Sequence, residues 1–233
     1  MKKALTPAQK KANTDVSIIL LSSLVVFALD MSLQNQILSY VFGAAPLLLR
    51  TVFMALIQFG LAGLGITIVC LLRKESFASH GLRMKGLLPA VALSFLCFAP
   101  HFIFMIVTGD FKGYLPFQGV KLTSEVLARG FPLNVLGMIP IIAAWGFFEG
   151  FNYAVLADKL NQRYPPTSMW LNWGAIAGAV FCVLIHGAIG ITPAGILEML
   201  TVLLLIYGLL VVKERTGNAW GCVFVFLFMW NAF

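Results

Sequence analysis

The stretch "WGFFEGFNYAVLADKLNQRYP", residues 145–165, decides how this chain is read. It opens as an aromatic and aliphatic run and closes on Asp158, Lys159 and Arg163, the profile of a helix leaving a bilayer. Glu149 stands in its apolar half. A carboxylate is costly to hold in hydrocarbon, so one placed there points to partners or to a function. Trp145, Asn152 and Tyr153 lie at i−4, i+3 and i+4 from Glu149, and helical periodicity predicts one shared face for all four. Asn152 is then placed to orient a carboxyl that suits a general base or a metal ligand. The competing reading is a structural Glu satisfied by neighbouring helices.

The rest of the chain agrees with a membrane setting. Of its 233 residues 60% are hydrophobic and 11% charged, with mean hydropathy +0.93. Soluble domains average about 45–50% apolar and about 25% charged. The composition therefore predicts a single all-α integral membrane domain over residues 1–233, a polytopic bundle of transmembrane helices. The net charge of +7 fits basic loops meeting anionic lipid, and no aromatic-basic platform or zinc-finger spacing supports nucleic-acid binding. Cys70, Cys97, Cys182 and Cys222 all sit in apolar runs without paired spacing, so they read as buried apolar residues.

Apolar runs between charge and turn signals predict seven spans, near Val16–Leu33, Leu47–Leu72, Gly86–Val107, Phe131–Ala157, Met169–Gly190, Pro193–Val212 and Ala219–Phe233. The basic N-terminus lacks a following cleavage site and reads as preceding a retained first span. Alternating the seven spans puts 12 of the 16 Lys and Arg residues on the N-terminal side and 4 on the other. That bias places the N-terminus in the cytoplasm and the C-terminus outside. The long loop 108–130 falls outside, with a short interfacial helix expected within 121–129.

Six further polar groups fall within spans or at their ends. His186 continues a stripe of small residues, Gly174, Gly178 and Cys182, which predicts close packing of the fourth and fifth spans through Gly174 and Gly178. His101 follows Pro100 and is expected to bond carbonyls freed by a kink. Glu198 and Asp30 read as interfacial, Asp158 as solvated, and Asn231 as a candidate for interhelical hydrogen bonding.

Taken in order, the Glu149 motif, His186 and the segment "VVKERTGNAWGCVFVFLFMWNAF" resemble the CAAX-protease and bacteriocin-processing (Abi) family of intramembrane proteases, which includes type II CAAX prenyl endopeptidases. The likeness spans about residues 145–233. The family pattern runs E-E-x-x-x-R, then F-x-x-x-H, then a T-G-x-x-W segment leading to H-x-x-x-N. The resemblance implies Glu149 as the water-activating base, His186 as its partner and Asn231 as an oxyanion-stabilising group. Trp145, Asn152, Tyr153 and Cys182 would line the site.

Several positions depart from the pattern. Gly150 stands for the second Glu, Ala154 for the Arg, Cys182 for the Phe and Leu227 for the last His. The resemblance implies a peptidase acting on membrane-embedded or lipidated peptides among membrane lipids. No cofactor is certain, although a divalent metal such as zinc is possible. The rival readings are a catalytically silent scaffold of the same fold and a small transporter.

Overall fold

The structure, a computed structural model, describes residues 4–185 and 192–233, and over 34–44 the backbone alone. Among the described residues every regular element is helical. Helix α1 (Pro7–Ala44) starts nine residues before the expected Val16, and a local cap explains why. The Gln9 amide donates to Thr6 Oγ1 at 3.2 Å while the Thr6 amide donates to Gln9 Oε1 at 3.1 Å, with Pro7 opening the helix.

Helices α2 (Leu47–Ala62) and α3 (Leu64–Arg73) meet at a 57° bend on Gly63. A side chain at Gly63 would stand 2.3 Å from the Phe59 ring. Beside the bend, Ser23 of α1 donates to the Leu61 carbonyl at 2.6 Å, a hydroxyl serving backbone at a helix break. Helix α4 (Leu87–Thr108) carries Pro100. The expected loop helix is α5 (Thr123–Leu127), tied to α2 by an Arg50–Glu125 ion pair.

Next, α6 (Leu133–Ile141), a π-helical segment (Ile142–Phe148) and α7 (Glu149–Arg163) make one rod. Helices α8 (Trp173–Ile185) and α9 (Pro193–Thr216) follow, then α10 (Trp220–Val225), which runs into a second π-helical segment (Phe226–Trp230).

The seven expected spans are not what the structure supports. Among the described residues four helices are long and apolar enough to cross a membrane: Pro7–Leu33, Leu87–Thr108, Leu133–Arg163 and Pro193–Thr216, with a fifth if the bent α2–α3 pair is one span. The described part of α8 and the α10 segment are shorter apolar helices. Helix α8 starts late because Asn172 caps it, accepting from the Ala175 amide at 2.9 Å.

Burial runs opposite ways in α1 and α7. Only 11% of the most apolar window of α1 is buried, and Leu21, Leu24 and Leu29 face outward. A long apolar helix with an apolar outer face fits lipid as its solvent. In α7, residues 149–157 are all buried, and Phe151, Val155 and Leu156 join Leu205 and Leu209 of α9 and Val223 of α10 in the core.

The small-residue stripe of α8 divides between two neighbours. A side chain at Gly174 would meet the Ala157 carbonyl of α7 at 2.3 Å, whereas one at Gly178 would meet Leu210 of α9 at 2.7 Å. Four residues turn an α-helix about 400°, so a four-spaced stripe drifts about 40° per step and changes partner. Of the two glycines expected to face α7, only Gly174 does.

Candidate functional site

Glu149 is the first residue after the π-helical segment, a wide turn of a kind that recurs at functional sites. Its carboxyl accepts from the Gln58 amide of α2 at 2.8 Å and is 5% exposed. Glu149, Asn152 and Tyr153 line one chamber of about 170 Å³ together with Gln58, Leu61 and Asp30. Phe181 and Ile185 of α8 close another wall. The Oδ1 atom of Asn152 is buried and has no hydrogen-bond partner among the described residues. Asp30, expected at the membrane interface, lines this chamber as a second carboxylate beside Glu149.

Two apolar grooves border the chamber. One, of about 440 Å³, shares Asp30 with it and is walled by Val26, Leu29, Leu56 and Phe59. The other, of about 250 Å³, shares Phe27, Phe181 and Ile185. The arrangement can present polar groups to the middle of a molecule whose ends are apolar.

The remaining predicted site residues lie elsewhere. Trp145 packs with Phe117, Val120, Val126 and Ile141 and lines a different cavity, beside Thr51 and Gly119. The π-helical segment breaks the register that would have kept it on the face of Glu149. Cys182 is fully buried in the core, joined to Tyr153 by a hydrogen bond. Asn231 is held by backbone, its carbonyl accepting from the Gly119 amide at 3.1 Å, and its buried Nδ2 has no partner among the described residues. It does not line the chamber. His186 lies outside the described residues. His101 binds Thr201 Oγ1 of α9 at 3.0 Å rather than backbone, since its ring points across to that helix.

Each departure from the family pattern is filled by packing. A side chain at Gly150 would stand 2.9 Å from the Cys222 carbonyl and 3.0 Å from the Val223 backbone, so α10 occupies the space a second Glu would need. Ala154 is fully buried in the core, where a guanidinium would have no solvent. Leu227 lies over Gly146, 2.3 Å from where a side chain there would begin. The T-G-N turn is a joint: Gly217 ends α9 in the left-handed region, and Asn218 Nδ2 donates to the Arg83 and Lys85 carbonyls at 2.6 and 2.9 Å.

A second polar cluster is illegible in the local sequence. Asp158, expected to be solvated, binds His80 Nδ1 at 3.0 Å and pairs with Lys213 of α9. Lys159 is 1% exposed, its Nζ reaching Glu75 at 2.6 Å and Asp15 of α1 at 3.2 Å. Arg73 also binds Asp15, at 2.7 Å. These pairs join residues 55 to 144 positions apart, and all of them except Arg73–Asp15 involve α7. Burial pushes the Glu75 carboxyl up, but the hydrogen bond and charge of Lys159, with those of His80, outweigh it and hold Glu75 below its ordinary value. The one available signal was that charged residues cluster at matching ends of successive spans.

No protein-family model matches the chain, and no curated protein or solved structure matches it.

Proposed function

We propose that the chain is an intramembrane peptidase of the kind the Glu149 motif resembles, acting on membrane-embedded or lipidated peptides, with Glu149 activating water. One observation carries the reading: a partly open chamber lined by Glu149, Asp30, Gln58 and Asn152 shares walls with two apolar grooves. A lipid-modified peptide has that distribution of polarity, an amide between apolar parts. In the mechanism, Glu149 takes a proton from water as it attacks the carbonyl and returns it to the leaving amine. Asn152 is placed to orient that water or the carboxyl. His186 stays in the proposal as the partner of Glu149, whereas Asn231, which does not line the chamber, is left without the oxyanion role.

The second reading is a silent scaffold of the same fold, favoured by the apolar filling at Gly150, Ala154 and Leu227. The membrane orientation belongs to the same proposal, with the N-terminus cytoplasmic and the C-terminus outside. The amide of Leu115, in the loop expected outside, donates to the Ala232 carbonyl at 2.9 Å, which keeps that loop and the C-terminus on one side as this orientation requires.

The test is Glu149→Gln in proteoliposomes with a farnesylated fluorogenic peptide. The substitution keeps shape and removes the base. Loss of cleavage by at least about 100-fold in folded protein is expected. Undiminished cleavage would remove Glu149 from the role of base, and no cleavage by the wild type while the peptide still binds favours the scaffold.

A further inference from the structure

Away from that chamber, about 13 Å along α7 by the rise from Glu149 to Asp158, three metal-ligating side chains converge on the charged cluster. We propose that Cys70, Glu75 and His80 form a binding site for a thiophilic divalent cation, of which zinc fits the ligand chemistry.

Local sequence builds the site. Helix α3 ends on Lys74 in the left-handed region (φ 56°), with the Glu75 amide donating to the Cys70 carbonyl at 2.9 Å and the Lys74 amide to the Leu71 carbonyl at 3.2 Å. This paired closure is the Schellman ending, and it folds Glu75 back over Cys70. The 3₁₀ turn Phe77–His80 then returns the imidazole to the same point. The ligand atoms of Cys70, Glu75 and His80 all lie within 4.8 Å of one another, the one such trio of His, Cys, Asp and Glu among the described residues.

The geometry suits a metal. His80 Nε2 and Glu75 Oε2 are 3.1 Å apart, close to the roughly 3.3 Å separating two ligands bound tetrahedrally at about 2.0 Å. The other imidazole nitrogen, Nδ1, faces Asp158 Oδ2 at 3.0 Å. A carboxylate behind a histidine fixes its tautomer and turns the opposite nitrogen toward a metal. Cys70 and His80 are buried and Glu75 is partly exposed, which leaves an approach from solvent. Lys159 stands on Glu75, yet it also pairs with Asp15, and that second anion holds it when Glu75 turns to the cation.

Charge balances at the ligands. The metal brings two positive charges, Cys70 gives up its thiol proton to solvent on binding, Glu75 is anionic and His80 neutral. Three protein ligands leave a fourth position for water.

Purified full-length protein in detergent, loaded with zinc and then dialysed, should retain an equimolar amount. Cobalt loading should give a near-ultraviolet thiolate-to-metal charge-transfer band that Cys70→Ser removes and Cys182→Ser keeps. His80→Gln and Asp158→Asn should each weaken zinc binding, the latter by about 10–100-fold. Absence of the band in the wild type overturns the proposal without any variant, as does a band that survives Cys70→Ser.

Discussion

Asp15 and Glu149 are buried alike, at 2% and 5% exposure, and the molecule treats them differently. At the charged end Asp15, Glu75 and Asp158 alternate with Arg73, Lys159, His80 and Lys213, drawn from α1, α3, α7 and α9. In the chamber Glu149 takes an amide from Gln58, shares its space with Asp30, and stands beside an Asn152 oxygen with no partner among the described residues. The first arrangement sets its acidic and basic groups against one another in ion pairs. The second sets Glu149, Asp30 and the Asn152 oxygen along the wall of a cavity, which is what a binding or reacting site needs. The contrast teaches that burial of an ionisable group does not by itself mark function; the partners around it do.

The largest expected effect breaks the charged end. Lys159→Met leaves Asp15 and Glu75 facing an apolar side chain, and should cost about 3–5 kcal/mol, as for one partner removed from a buried pair. Thermal unfolding in detergent measures it, and a loss under about 1 kcal/mol would show that Lys159 does not hold α1 and the Glu75 turn to α7.

On the chamber side, Gly150→Ala pushes a methyl against the α10 backbone. Overpacking of this kind costs about 1–3 kcal/mol. Gly130→Ala is the control, since nothing lies within 4 Å of a side chain there. Equal melting of the two variants would mean that the α7–α10 contact can open, and that Gly150 could have been a second Glu.

A smaller change, in the opposite direction, sharpens the account of the α3 ending. Lys74→Gly relieves a left-handed non-glycine residue and should stabilise by up to about 1 kcal/mol. Destabilisation instead would mean that the Lys74 side chain contributes more than its backbone strain costs.

The smallest effect is in pH, because Glu75 is partly open to solvent. Its folded pKa lies below the ordinary carboxylate value of 4.5. The stability it adds is therefore present above that value and is lost as pH falls through the folded pKa. Glu75→Gln should flatten the acid limb of a stability–pH curve. An unchanged slope would assign acid sensitivity to the other carboxylates of the cluster.

Helical periodicity alone grouped Glu149, Asn152 and Tyr153, and the chamber keeps those three together because α7 is regular from Glu149 onward. Trp145 was misplaced by the same rule, since the wide turn at 142–148 is written in no residue pattern that periodicity can read. Gln58 and Asp30 were missed as chamber residues because their place depends on where α1 and α2 cross α7, not on their own neighbours in sequence. His80 carried no signal either: it sits in a short charged loop, and only its meeting with Asp158, 78 positions away, gives it a role.

What the sequence determined by itself is therefore short-range and compositional. Long apolar runs forced helices, since hydrocarbon leaves backbone groups no partner but their own chain. Spacing of three and four set which side chains share a face. The tertiary structure decided the number of helices long enough to span, the bend at Gly63, the pairing of Lys159 with Asp15, and the occupation of the Gly150 space by α10. Those outcomes are decided by contacts between helices distant in sequence, where packing and charge neutralisation act across space and local pattern carries no record of them.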